Sequence, residues 1–414
     1  MRIAIGNWSS HRVGGIETYL STAIPALVRA GHKIAFWHEV DGPKERERIC
    51  LPDSAPSWCV AELGAEQSLN GLRAWRPDII YSHKVEDPHL EASTIAIAPA
   101  VYFAHDHQGM CISGLRTHRF PVIKPCHRNF DQKCLVNYFP RRCGGLNPVT
   151  MLKLYSLQSK RQKLLTKYRA IVTHSEHMLE ELVKHGVPKQ RVSLIPFLIG
   201  DTESTLPCDA RIDKADDHLI FIGRMELPKG PQILLNALPG ILKKLRRPVR
   251  LTLVGDGRMR LRLEQRARDL QARYDSVTIH FTGWLTRNQI NNLLDDSDLL
   301  VVPSLWPEPF GLVGPEAGLR GVPAAAFDVG GISDWLENGV SGYLAPGNPP
   351  TSKGLGDAIV RCLIDSTQHA KLRRGALELS QRLSTQNHLK ALISVFGTVL
   401  GQTMEPAKAA AAAG

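Results

Sequence analysis

Apolar residues in the first half of the chain fall in short unbroken runs rather than in alternation with polar ones. RIAIG, KIAFWHE, DIIYSH, VYFAHD, AIVTHS and VSLIPFL read as strands buried on both faces, as in a parallel sheet. Between the first two lies IETYLSTAIPALVRAG, whose apolar spacing is helical and which closes on Gly31, a helix-stopping residue type. Strand, helix, strand in succession predicts a doubly wound α/β sheet. At residues 200–217 the pattern breaks into the polar stretch GDTESTLPCDARIDKADD, which reads as a linker. The alternation then restarts with LIFIGR, LTLVGDG, VTIHFTG, LLVVPS and PAAAFD, separated by helical segments. Two Rossmann-like units in tandem follow: residues 1–200 and residues 201–384. Residues 385–403 are expected to form a helix returning to the first unit, and the low-complexity tail 404–414 to be disordered. In open α/β sheets ligands bind beyond the carboxyl ends of the strands, so two facing units would enclose a cleft.

Composition narrows this picture without changing it. A chain of 414 residues, 43% hydrophobic and 22% charged, has material for two ordinary globular cores. No apolar run approaches the roughly 20 residues that span a bilayer. MRIAIGNWSS is too briefly apolar for a signal peptide, so a cytoplasmic protein is expected. Charge is less even. Residues 114–169 hold thirteen Lys and Arg against one acid, Asp131, a local excess that accounts for the whole net charge of +11. A solvated basic face is one explanation. The other is attraction to a polyanion: an anionic membrane surface, a lipid-linked phosphate or nucleic acid.

The candidate chemistry sits at predicted strand ends. Arg224 follows the strand LIFIG, and Lys229 precedes Gly230 and the helix PQILLNAL. Two cations around a strand-to-helix turn suit a diphosphate, although either alone is an ordinary surface residue. Further on, LWPEPFGLVGPEAGLRGVPAAA places Glu308 and Glu316 with seven residues between them. A helix is expected to open near Pro315, with Glu316 in its first turn and the amides of Gly311, Leu312 and Val313 facing the cleft. Each carboxylate could accept paired hydrogen bonds from vicinal hydroxyls, one from a sugar and one from a ribose. The plainer role for Glu316 is charge stabilisation of a helix N-terminus.

Taken together, LIFIGRMELPKGPQILLNAL, LTLVGDG, FTGWL, PSLWPEPFGLVGPEAGLRGVP and GGISDWLENGVSGYL closely resemble the C-terminal domain of glycosyltransferase family 4, over nearly all of residues 218–347. The N-terminal half resembles it more loosely, through GGIETYL with Gly14 and Gly15 after the first strand, and through His105 in VYFAHD. GGIETYL is not a GxGxxG fingerprint, which weakens any hydride-transfer reading. The resemblance implies the GT-B fold, two Rossmann-like domains facing across a cleft, and retaining transfer of a sugar from a UDP- or GDP-linked donor. By it, Arg224 and Lys229 would hold the diphosphate, Glu308 the sugar, Glu316 the ribose and His105 the reacting end. The turn of Gly311, Leu312 and Val313 would complete the donor site, Gly14 and Gly15 would close over it, and Trp284 and Leu285 would pack on the base. No catalytic metal is implied. Where the family commonly carries a glutamate after the paired glycines, this chain has Asp334.

Four of the eight cysteines, Cys111, Cys126, Cys134 and Cys143, lie in a basic insertion at about residues 107–150. Their spacing lacks the CxxC pair of a strong zinc motif, so a structural zinc, reversible disulfides and free thiols all stay open. The resemblance puts the acceptor on the N-terminal domain. The basic insertion then suggests a lipid-linked or other cell-envelope glycan, with the enzyme peripheral to the inner face of the membrane. A GT-B-fold epimerase or phosphorylase is the alternative enzyme. Nucleic acid is not the expected partner, because the basic segment carries no RNA-module signature.

Overall fold

A computed structural model describes residues 1–43, 45–198 and 216–401. Most of the polar stretch at 200–217, Cys208 and the tail 404–414 lie outside the described residues. The N-terminal strands are β1 (Arg2–Ser9), β2 (Lys33–Val40), β3 (Ser57–Cys59), β4 (Ile79–Ser82), β5 (Ala100–Phe103), β6 (Thr117–His118), β7 (Lys124–Pro125), β8 (Ala170–Thr173) and β9 (Val192–Leu194). Seven of them form one wholly parallel sheet in the order β3-β2-β1-β4-β5-β8-β9, while β6 and β7 make a separate antiparallel hairpin inside the insertion. The C-terminal strands are β10 (Asp217–Ile222), β11 (Val249–Val254), β12 (Val277–Gly283), β13 (Leu299–Val302), β14 (Ala324–Phe327) and β15 (Gly342–Ala345). Their sheet is also parallel, in the order β12-β11-β10-β13-β14-β15. Both sheets thus run outward in both directions from a first strand, the doubly wound arrangement, with its switch point beside β1 in one and β10 in the other.

The apolar runs become strands because helices cover both faces of each sheet. LLVV of β13 and AAAF of β14 are buried throughout. The helix Gly15–Arg29 ends as its sequence foretells: Ala30 caps it and Gly31 follows with φ +84°. The reading of the sequence missed β3 and β15. SWC is only three residues long, and GYLA opens on Gly342, whose added Cβ would lie 1.8 Å from the Ala324 carbonyl oxygen. A glycine there reads as a turn but serves close strand packing. The last helix, Thr385–Val399, lies against the N-terminal domain: His388 Nε2 is 2.8 Å from Tyr19 Oη, and Phe396 stacks edge-on to Tyr81.

Candidate active site

A cavity of about 460 Å³ lies between the two sheets at their carboxyl ends. Glu308 reaches it from the loop after β13. Its backbone is pinned, since Gly331 N donates to Glu308 O at 2.7 Å. Gly330, at φ +63°, could not carry a Cβ, which would meet the same carbonyl oxygen at 2.2 Å. The paired glycines therefore hold the Glu308 peptide. The Glu308 side chain is only 4% exposed at the residue level, and its Oε1 accepts from Lys229 Nζ at 2.6 Å and from Ser304 Oγ at 2.5 Å. Oε2 has no partner among the described residues and stays available to a ligand hydroxyl.

Lys229 reaches Glu308 because the turn Leu227–Lys229 packs directly on the end of β13. Gly230, at φ +72°, sits so close that a Cβ would lie 1.8 Å from Pro303 O. Lys229 is therefore not the free cation its sequence position suggests: it is paired with Glu308. Arg224 also lines the cavity, and its exposed side chain has no ion-pair or hydrogen-bond partner among the described residues.

Glu316 sits in a short helix, Val313–Gly318. Pro315 is the third residue of that helix, not its opening one, because the chain turns at Gly311 (φ +92°) and Leu312 is already in helical geometry. Trp335 fixes the turn from below. Its Nε1 donates to Phe310 O at 2.6 Å, and its ring would lie 2.2 Å from a Cβ on Gly314. The amides of Gly311, Leu312 and Val313 have no backbone acceptor among the described residues, and all three residues line the cavity. Glu316 Oε1 pairs with Arg287 Nη1 at 3.1 Å; burial raises its pKa, with Arg287 pulling the other way.

From the facing domain, Gly15 approaches so closely that its Cβ would touch Leu312 Cδ1 at 3.4 Å. Gly14 is a helix cap outside the lining, and its N–H donates to Glu17 Oε2 at 2.9 Å. His105 lines the cavity just past β5, packed on Phe103, and its Nε2 lies 2.8 Å from His83 Nδ1. Burial drives the pKa of His105 well below 6.5 and that of His83 to about 3, so both rings are neutral. His83 Nε2 is buried without a partner. The tautomer that strands no buried N–H has His83 Nδ1–H donating to His105 Nε2, which leaves the His105 proton on Nδ1.

Trp284 and Leu285 do not reach the cavity. Trp284 is 51% exposed beneath the Arg46 guanidinium, and Leu285 packs on the C-terminal core. Asp334 lies outside the lining too. Its Oδ1 accepts from Glu176 N at 3.4 Å across the domain interface, where burial raises its pKa to about 6. His107 Nε2, 2.9 Å from Pro307 O, and Ser175 Oγ, which donates to Pro309 O, latch the Glu308 loop to the N-terminal domain. Sequence reading missed Ser304, Arg287, Trp335 and His83, whose roles depend on approaches between distant segments.

Of the three states left open for the insertion cysteines, a structural zinc finds no ligand set here: among the described residues no group of three or more His, Cys, Asp or Glu side chains is arranged to hold a metal ion. The thiols turn to local partners instead. Cys111 Sγ lies 3.6 Å from Ser113 Oγ, Cys134 Sγ 3.7 Å from Asn129 O and Cys143 Sγ 3.9 Å from Asn137 O. Cys111, Cys126, Cys134 and Cys143 are free thiols, and burial pushes Cys143 up to about 12. No helix among the described residues is long and apolar enough to cross a membrane.

Residues 13–199 match the model described as Glycosyltransferase Family 4, and residues 205–378 the model of Glycosyl transferases group 1. The chain belongs to glycosyltransferase family 4. An uncharacterized glycosyltransferase of Methanocaldococcus jannaschii is 25% identical over 84% of this chain and 86% of its own length. Glycogen synthase of Mycobacterium tuberculosis is 26% identical over 93% and 91%. Among solved structures, Anabaena HepE in complex with UDP and glucose aligns with a TM-score of 0.67 at 20% identity, covering 96% of this chain and all of that one. WaaG, a glycosyltransferase involved in lipopolysaccharide biosynthesis, aligns with the same TM-score at 17% identity over 96% and 100%. These neighbours establish the GT-B fold for this family 4 glycosyltransferase.

Proposed function

We propose that this glycosyltransferase moves a hexosyl group, with retention of configuration, from a nucleoside diphosphate sugar to a lipid-linked or other cell-envelope glycan. The observation that carries this reading is the convergence of Arg224, Lys229, Glu308 and Glu316 on one cavity that Gly15 and His105 close from the other domain. Two cations and two carboxylates, each in its own setting, match a ligand with a charged middle and a hydroxyl-rich group at either end. UDP is the favoured nucleotide, since the HepE structure holds UDP.

Arg224 and Lys229 bind the diphosphate and stabilise charge on the leaving group, supplying positive charge at the site where it develops. For Lys229 this means sharing its ammonium between the phosphate and Glu308. Glu308 keeps Ser304 on Oε1 and takes a sugar hydroxyl on Oε2. Glu316 takes the ribose hydroxyls, with Arg287 holding its other oxygen. His105, neutral, donates to the sugar without placing a second positive charge beside an oxocarbenium-like centre. The residues support front-face displacement, and no side chain is assigned as nucleophile. The acceptor side is the N-terminal domain, where a basic insertion begins directly after His105. A lipopolysaccharide 1,2-N-acetylglucosaminetransferase of Salmonella typhimurium, 27% identical over 60% of this chain, supports a cell-envelope acceptor.

Thermal unfolding with a panel of nucleoside diphosphates tests the donor site. A ligand at 100 times its Kd stabilises the fold by about 2.7 kcal/mol. UDP is expected to raise the Tm of the native protein and to leave Glu316→Ala and Arg224→Ala unmoved; no shift with any nucleotide would overturn the donor assignment. The anomeric configuration of the product, read by NMR, tests retention.

A further inference from the structure

The insertion builds a small core of its own from Ile112, Phe130 and Tyr138, against which Leu154 and Tyr155 of the helix Pro148–Leu165 pack. Buried Arg116 ties it to the domain through an ion pair with Glu181 and through Met110 O at 3.3 Å. What this core leaves outside is unusual. Val136 and Phe139 face outward at helical spacing around the helix Lys133–Tyr138, with Val136 76% exposed. Leu146, 81% exposed just ahead of the next helix, and Val149 and Leu152 in the first turns of that helix are exposed too. Phe120 joins them, because Arg119 N donates to Arg141 O at 2.9 Å and the Arg142 guanidinium lies 5.1 Å from the Phe120 ring. Large apolar side chains on a soluble surface normally occur singly, so a cluster of this kind marks an interaction site.

The cations around the cluster indicate what covers it. Lys124, Arg128, Lys133 and Arg142 are exposed, and none forms an ion pair among the described residues. Asp131 is the sole acid between residues 114 and 169. A protein partner of mixed charge does not need such one-sided positive charge. An anionic interface with an apolar interior satisfies both halves of the surface at once.

We propose that residues 119–153 form a membrane-docking surface that seats on an anionic bilayer, with Phe120, Val136, Phe139 and Leu146 entering the headgroup boundary and the surrounding Lys and Arg contacting lipid phosphates. The proposal deepens the acceptor reading above and rests on it only for its purpose: it places the mouth of the cleft beside the lipid that carries the acceptor. Docking itself is a separate physical event, measured without sugar or nucleotide.

Flotation of the full chain with vesicles of pure phosphatidylglycerol or pure phosphatidylcholine tests it. Binding is expected on the anionic vesicles and not on the zwitterionic ones, and it should weaken as salt rises. Each Lys or Arg near an anionic surface is worth about a fivefold change in partitioning, so Lys133→Ala with Arg142→Ala should reduce binding by roughly 25-fold. The combination Phe120→Ser, Val136→Ser and Leu146→Ser should retain binding at low salt and lose it at moderate salt, where the native protein still floats. Equal binding to both vesicle types, binding unchanged in both variants, or no binding by the native chain would overturn the proposal. A concentration-dependent dimer in light scattering that the serine variant abolishes would also overturn it, assigning the face to a second copy. So would salt-sensitive capture of RNA in preference to the anionic vesicles. The UDP-induced Tm shift, measured on the same variants, reports the donor site independently: its loss in the native chain sinks the functional reading and leaves docking standing.

Discussion

The loop that carries Glu308 and Glu316 and the insertion that follows His105 are both irregular connections leaving the carboxyl end of a parallel sheet, and they are built in opposite ways. The first is held at nearly every point: Glu308 by Lys229, Ser304 and Gly331, the turn at Gly311 by Trp335, and Pro307 and Pro309 by the facing domain. The second is held at its root by Arg116 and opens into exposed apolar and cationic side chains at its tip. A site that must place charge against a reacting bond needs a fixed geometry. A surface that meets a fluid partner needs only the right composition.

If this contrast is correct, substitutions in the held loop should be costly and those in the insertion tip cheap. The largest effect is expected from Lys229→Ala, which removes the cation proposed to meet the leaving group and leaves Glu308 buried with one partner fewer; kcat should fall by about 100-fold or more. Retained kcat with a raised KM would limit Lys229 to uniform binding. Next comes Gly314→Ala, whose methyl would sit 2.2 Å from the Trp335 ring. Overpacking of this kind costs about 1–3 kcal/mol, read as a lower urea midpoint.

Acid should act through the buried imidazoles around the cleft. His83 and His107 are held by burial at about 3 and His388 at about 4, against 6.5 when unfolded. Between those values the unfolded chain binds more protons, so stability is lost as pH falls from 6.5, by about 2 kcal/mol at pH 5 for one such group. Glu91, pushed up to about 7, acts in the opposite sense and offsets part of this. The Tm should therefore drop between pH 7 and pH 5, and a flat profile would show the rings to be solvated. The smallest change is expected from Leu146→Ser, within about 0.5 kcal/mol of the native stability, as for any exposed site without partners.

The same contrast governs what could be read from the sequence. Buried parallel strands are apolar without interruption, so both sheets were legible, apart from the three-residue β3 and the glycine-led β15. The loop of Glu308 and Glu316 was legible because its turn at Gly311, at φ +92°, is a demand of local geometry, and local geometry is written in adjacent residues. Pairings made in space were not. Nothing near Lys229 announces that its ammonium will rest on Glu308, and Ser304, Arg287 and His83 look like ordinary polar residues until the chain brings them to Glu308, Glu316 and His105. Trp284 is the reverse case: a motif aromatic that reads as a partner for the base stands under Arg46, outside the cavity lining.

The return of the helix Thr385–Val399 to the N-terminal domain has a mechanical meaning. The preceding helix, Ser366–Gln381, packs on the short helix of Glu316 in the C-terminal domain, so the backbone crosses the interface a second time within residues 382–384. Two bodies joined by a single thread can swing and spin. Joined by two, they keep the swing and lose most of the spin. Each opening of the cleft to release product would then follow the same arc, and each closure would return Gly15 to the same ångström of Leu312.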